Sequence, residues 1–201
     1  MLVFLTIIAS YLLGSVPAGY LAGRMAKIDI RQTGSGNIGA TNVVRVLGKA
    51  YGYPVFAFDF LKGLVAVSMS IFFSRTNEFG ISVESLGIIG GVCAVIGHSY
   101  PVWLRFKGGK GVATSLGVIF GLAPIAAVIV VILWVCVFAI TRYVSIASIA
   151  AAVALPAATF FLLRSNVILY FTIALMLIVI WRHRSNISRL MKGAEPRFER
   201  K

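Results

Sequence analysis

The sequence predicts an all-α, polytopic integral membrane helix bundle: seven transmembrane segments, one of them short, with the N-terminus outside and the C-terminus cytoplasmic. Three observations carry this expectation. Of 201 residues, 59% are hydrophobic and 12% charged, against roughly 45–50% and 25% in soluble domains. The apolar residues lie in uninterrupted runs, and the mean hydropathy is +0.95. The 19 Lys+Arg outweigh the 6 Asp+Glu and cluster at particular places between the runs. A soluble globular enzyme, a disordered tail and a disulfide-stapled module are excluded. A charge of +13 would suggest nucleic acid in a soluble protein; in a membrane protein it follows from Lys and Arg retained in cytoplasmic loops. Anionic headgroups or phosphorylated substrates are the sharper alternative.

The spans follow in order. A helix crossing the hydrocarbon core needs about 20 apolar residues. The first run, Leu2–Leu21, lacks the basic flank of a signal peptide and is expected to be retained. Pro54–Ser74 and Val83–Leu104 are the second and third. Residues 111–140 are too long for one straight span, and Gly117, Gly121 and Pro124 interrupt them. They divide into a short helix, Gly111–Leu122, and a full one, Pro124–Ile140. The short helix is only about 18 Å long at 1.5 Å per residue, so it must pack among the others. Tyr143–Leu163 and Val167–Trp181 complete the set. With seven segments, the loops 24–52 and 105–110, Arg142 and the tail beyond Trp181 share one face, while Arg75 and Arg164 lie on the other. Six segments would move the basic tail away from that face, so the positive-inside rule selects seven. Cys93 and Cys136 sit inside apolar runs with no CxxC or Cys/His cluster, which suits packing residues rather than a zinc site or a disulfide. No repeat or soluble segment divides the chain, and residues 1–201 are expected to form one domain.

Three polar stretches fall on the cytoplasmic side. In 31–52, Gly34-Ser35-Gly36-Asn37 is a turn feeding a short amphipathic helix, Thr41–Leu47, ended by Gly48. Thr41 and Arg45 share one face of it. The stretch is either an anion site at a helix N-terminus or a tight turn with Arg45 at a lipid phosphate. In 97–117, Lys107-Gly108-Gly109-Lys110-Gly111 runs into the short helix; ammonium groups, backbone N–H groups and the helix dipole make an oxyanion cradle. The spacing is not that of a Walker A loop, so no ATP site is expected. In 181–198, His183 and Asn186 are three apart and share a face if the last helix continues through them. Glu195, a lone acid in a basic tail, is expected to pair with a cation and fix the tail. Within the second span, Asp59 and Lys62 are three apart, near the end that water reaches. They either support the site or form a purely structural pair, and pairing offsets much of the roughly 2.5–3.5 kcal/mol that a mid-bilayer charge costs.

The inventory is cations, glycines, hydroxyls, amides and histidines. Acids are nearly absent, so no carboxylate cage for Mg²⁺ or Ca²⁺ is expected, and no metal or other cofactor. Such a site suits phosphorylated substrates beside a bilayer. The stretches GSGNIGATNVVR, GHSYPV…FKGGKGVAT and WRHRSNI…GAEPRF resemble the three cytoplasmic motifs of the bacterial acyl-phosphate-dependent glycerol-3-phosphate acyltransferases, the PlsY family, in order and register over nearly the whole chain. The resemblance implies transfer of a fatty acyl group from acyl phosphate to the 1-hydroxyl of sn-glycerol 3-phosphate, giving lysophosphatidic acid and phosphate in phospholipid biosynthesis. It implies a bacterial inner-membrane location with the site at the cytoplasmic face, and no nucleic-acid partner. Ser35 and Arg45 match the first motif's essential residues; Lys107, Gly108, Gly109, Lys110 and Gly111 match the phosphate-binding second; His183 and Asn186 match functional residues of the third, and Glu195 a structural one. Asn37 and Thr41 are expected to bind substrate beside them. The H-x-x-x-x-D motif of CoA- and carrier-protein-dependent acyltransferases is absent, since Trp103 and Ser188 follow His98 and His183 at that spacing. In this scheme Arg45, the two lysines and the loop N–H groups take the phosphates, Ser35 and Asn37 orient or stabilise the oxyanion, and His183, held by Asn186, is general base or its orienter. The alternative from another class is a transporter of a phosphorylated solute, which inverted repeats would favour; none is visible.

Overall fold

Hydrocarbon contact forces every backbone group into helical hydrogen bonds, and the apolar runs fold accordingly. The computed structural model describes residues 2–74 and 80–198. Arg75, Arg200 and Lys201, which entered the charge partition, lie outside them. Among the described residues, five helical stretches are long and apolar enough to cross a membrane: Val3–Met25, Lys49–Phe73, Val83–Leu104, Pro124–Thr141 and Val144–Leu162. A sixth candidate is a bent pair, Asn166–Arg182 with Arg184–Met191, and Val112–Leu122 is a shorter apolar helix. The helices fall into two compact units, residues 1–122 and 123–201.

In the first unit, α1 (Leu2–Ser15) and α2 (Ala18–Met25) divide the first apolar run at Pro17, whose ring cannot continue the helical ladder. The Val16 carbonyl at that break accepts from Lys62 Nζ at 3.2 Å. A loop leads to α3 (Ala40–Leu47), which ends at Gly48 with φ +87°, a value that an L side chain rarely adopts. Then come α4 (Lys49–Phe73), α5 (Val83–Ser99), a 3₁₀ turn at Val102–Leu104, and α6 (Val112–Leu122). The helix pairs α1·α5 and α4·α6 meet backbone to backbone. A methyl at Gly63 would overlap the Thr114 carbonyl, and one at Gly117 the Phe60 carbonyl. Small residues permit such approach where lipid supplies no hydrophobic drive between helices.

The second unit holds α7 (Pro124–Thr141), α8 (Val144–Leu162), α9 (Asn166–Arg182) and α10 (Arg184–Met191). Polar side chains among its helices are paired: Trp134 Nε1 donates to Ser148 Oγ at 3.1 Å, and the Thr159 and Thr172 hydroxyls lie 3.0 Å apart. Between α9 and α10 the axis turns by 53° at His183, so the last span does not run straight on through His183 and Asn186. Beyond α10 the chain returns to the α7–α8 turn, where Phe198 N–H donates to the Arg142 carbonyl at 2.9 Å and Arg142 Nη2 to the Phe198 carbonyl at 3.0 Å.

Candidate active site

The turn before α3 is organised by a residue that sequence reasoning passed over. Asn42 is 2% exposed. Its Oδ1 accepts from Ser35 N–H at 2.8 Å, and its Nδ2 donates to the Ile30 and Thr33 carbonyls at 3.2 and 3.0 Å. One amide on the buried face of α3 therefore closes the Gly34–Gly36 turn and presents Ser35, which is exposed. Asn37 Oδ1 accepts from Gly39 N–H at 2.8 Å, an Asx turn. Thr41 is half-buried and Arg45 exposed on α3. Arg31 is committed elsewhere: Nε and Nη2 make a two-pronged contact with Asp29 at 2.9 and 2.7 Å. The Arg31 side chain, and then its backbone N–H, hold the Asp29 carboxyl at about 2.

The second motif is folded against the first. Leu104, just before the lysine loop, shares one buried cluster with Ile38 and Val43 of the first motif and Ala22, Ile30 and Val55. Arg105 and Phe106 take left-handed φ values of 52° and 61°, at of order 1–3 kcal/mol of strain each, and so turn the chain sharply into Lys107. Lys107 is exposed and Lys110 half-buried. The Gly108 and Gly109 amides donate to the Ser99 and His98 carbonyls, each at 3.1 Å, rather than outward as the sequence suggested. The glycines serve close packing: a methyl at Gly108 would overlap the His98 carbonyl. The amides without intrahelical acceptors are those of the first turn of α6, whose ladder starts with Ser115 N–H on the Gly111 carbonyl at 2.7 Å. Beside Gly111, where φ is +82°, the buried Ser99 and Ser115 hydroxyls have no hydrogen-bond partner among the described residues.

Asp59 and Lys62 pair on α4, with Lys62 Nζ 2.7 Å from Asp59 Oδ1. Both are 2% exposed, drier than a pair at the wet end of a span. A third member was not anticipated: His98 Nδ1 on α5 lies 3.4 Å from the same oxygen. A histidine on a different helix leaves no spacing signal.

The third motif lies in the second unit. His183 is buried, and its Nδ1 is 2.8 Å from the Val179 carbonyl. Only a protonated Nδ1 can hydrogen-bond a carbonyl, so in the neutral ring Nε2 carries the lone pair. The Val179 carbonyl thus orients the ring from the Nδ1 side. Asn186 Nδ2 donates to Glu195 Oε1 at 2.6 Å, which also accepts from Ser145 Oγ at 2.8 Å, while Oε2 accepts from Arg189 Nε at 2.8 Å. Burial by itself pushes the Glu195 carboxyl up; hydrogen bonds from Asn186, Ser145 and Arg189 and the Arg189 charge outweigh it and hold the carboxyl below the usual range.

Chemically, the first unit offers an exposed hydroxyl on a rigid turn, an arginine, two lysines and a helix N-terminus, a set suited to oxyanions. The second offers an imidazole with a defined basic nitrogen. Comparison with known proteins agrees. Residues 4–193 match the family model for glycerol-3-phosphate acyltransferases. Curated glycerol-3-phosphate acyltransferases from Gloeobacter violaceus and Aquifex aeolicus are 48% and 43% identical, covering 94% and 96% of this chain and 92% and 97% of theirs. Among solved structures, PlsY, an integral membrane glycerol 3-phosphate acyltransferase, superposes in its glycerol 3-phosphate form with a TM-score of 0.89 at 41% identity, covering 98% of this chain and 96% of that one. Its lysophosphatidic acid form gives 0.86 at 41% identity, covering 98% and 95%. With apolar helices of membrane-spanning length and a full-length match in sequence and structure, the chain is an all-helical integral membrane protein and belongs to the PlsY-type glycerol-3-phosphate acyltransferase family.

Proposed function

We propose that this chain transfers a fatty acyl group from acyl phosphate to the 1-hydroxyl of sn-glycerol 3-phosphate at the cytoplasmic face of a bacterial inner membrane, and that residues 1–201 act as one acyltransferase domain of seven segments with the N-terminus outside. The observation that supports this most is the burial of Leu104, three residues before Lys107, in one cluster with Ile38 and Val43 of the first motif, which ties the two motifs to one frame. Two phosphorylated substrates repel each other, and cations on one small frame offset that repulsion.

The glycerol oxygen attacks the acyl carbonyl carbon, the bond from that carbon to the phosphate oxygen breaks, and inorganic phosphate leaves. The mixed anhydride is already activated, so the residues need only bind, orient and accept one proton. Arg45, Lys107, Lys110 and the first-turn amides of α6 take phosphoryl oxygens; Ser35, with Asn37 and Thr41 beside it, orients the hydroxyl or the developing oxyanion. His183 Nε2 takes the proton, directly or by orienting a phosphate oxygen that does. Asn186 and Glu195 secure α10, and Asp59 with Lys62 secures the base of the loop.

The test is purified protein in detergent with acyl phosphate and glycerol 3-phosphate. Phosphate release matched by lysophosphatidic acid supports the proposal. Absence of both, with uptake of a phosphorylated solute into vesicles, overturns it in favour of a transporter. Labelling of single cysteines from each side of the membrane checks the seven-segment topology.

A further inference from the structure

Three ionisable side chains meet inside the first unit, each nearly sealed from solvent: Asp59 and Lys62 at 2% and His98 at 5% exposure. Asp59 and Lys62 alone would satisfy each other, and Lys62 also reaches the Val16 carbonyl at 3.2 Å. The imidazole is the surplus member. Its Nδ1 faces Asp59 Oδ1 at 3.4 Å, and its far edge faces the lysine loop. A methyl built on Gly109 would overlap His98 Nε2 and lie 2.8 and 3.0 Å from Cε1 and Cδ2. At the same time the Gly109 amide is bonded to the His98 carbonyl at 3.1 Å. Residue 109 is therefore held between the backbone and the ring of one histidine.

The neighbouring glycine is held differently. Around Gly108 the obstructing atoms are the His98 and Ser99 carbonyls and Pro101 Cδ, none of which can swing away. Around Gly109 the three nearest atoms all belong to the His98 ring. A flexible side chain would yield, but this one is anchored at its other nitrogen by a carboxylate that Lys62 fixes in turn. The ring edge is a stop against which the loop rests, with Lys107 and Lys110 on either side of the contact.

We propose that His98, anchored by Asp59 and Lys62, is a positioning residue that sets the location of the Lys107–Lys110 loop through its contact with Gly109. The proposal rests on the reading that these lysines bind phosphorylated substrate.

A double-mutant cycle tests it, with kcat and KM for both substrates measured on purified enzyme in detergent. Gly109→Ala raises KM for at least one phosphorylated substrate by about tenfold or more. His98→Asn keeps a donor in the place of Nδ1 but removes the far edge on which the loop rests, and raises KM for the same substrate by about tenfold. In the double variant KM returns to within about threefold of the His98→Asn value, a coupling of neighbours. Gly108→Ala, whose obstruction is backbone, is not recovered by His98→Asn. Additive effects at 98 and 109, or equal recovery at 108 and 109, overturn the proposal. If Gly109→Ala yields no folded protein, the single variants decide: His98→Leu and His98→Asn, which both remove the ring edge, each raise KM about tenfold with kcat within about threefold, and an unchanged KM in His98→Asn, or a fall in kcat at unchanged KM, overturns it. Failure of the unsubstituted enzyme to make lysophosphatidic acid would sink the proposed function itself, whereas an active enzyme with an additive cycle sinks only the role of His98.

Discussion

Asn42 is the side chain whose removal should be felt most for its size. Replacing it with Ala deletes three hydrogen bonds, to Ser35 N–H, the Ile30 carbonyl and the Thr33 carbonyl. They are not equal. Ser35 is exposed and its amide can find water; Ile30 is fully buried and Thr33 half-buried, so their carbonyls are left poorly satisfied. At about 1–3 kcal/mol for each buried group stranded, and less for the wet one, the expected loss is about 2–4 kcal/mol. For a chain of this length that corresponds to a fall of about 4–16 °C in Tm. The chain has 3 tryptophans, so intrinsic fluorescence on heating in detergent reads it directly. Asn42→Asp is the sharper comparison: it keeps an acceptor for Ser35 N–H but sets oxygen against both carbonyls, and should be no more stable than Asn42→Ala. Because the same amide presents Ser35, kcat/KM should fall by about 10²-fold in either variant. A Tm within about 1 °C of the parent, or kcat/KM within about threefold, refutes the assignment of Asn42 as the organiser of this turn.

His183→Ala should lower kcat by about 10²–10⁴-fold, the range of a lost general base; undiminished turnover removes the histidine from the mechanism. Because the Glu195 carboxyl is held below its ordinary value in the folded chain, its contribution to stability is complete above about pH 4.3, and drains away as pH falls through the lowered folded value. Thermal inactivation followed from neutral to acid pH should therefore show an acid-side loss that Glu195→Gln flattens, and an unchanged profile counts against the Glu195 contacts. Gly63→Val should prevent α4 from meeting α6 at Thr114 and leave little folded protein by size-exclusion chromatography, whereas a monodisperse, active variant would contradict that packing. Asp29→Asn, at the solvent-exposed Arg31 pair, should shift Tm by no more than about 2 °C; a larger loss would mean the pair holds the loop before α3.

Lipid is a strict reader of sequence, which is why helix boundaries could be placed within a few residues from hydropathy and proline alone. The division at Pro124 is one example: α7 begins there with a proline in its first turn. The interruption of the first span at Pro17 was equally available from the same chemistry but lay hidden inside an apolar run. The bend at His183 was not available. No Gly or Pro marks it, and it accompanies an imidazole folded back onto the carbonyl of Val179. Motif chemistry singled out the Lys107–Gly111 loop but misjudged where the Gly108 and Gly109 amides point, because a pattern of glycines is the same whether amides face a ligand or a neighbouring backbone. Asn42 and His98 escaped for a common reason. Each acts through partners brought near only by tertiary structure, Asn42 on carbonyls of the preceding loop and His98 on a carboxylate from another helix, and neither arrangement has a period.

The Glu195 carboxylate joins Ser145, at the start of α8, to Asn186 and Arg189 on α10. Helices α8 and α9 can enter the bilayer as soon as they leave the ribosome, but this latch cannot close until residue 195 has been translated. A nascent chain halted after Met191 would already own every helix of the second unit and still lack the fastening that holds the last of them.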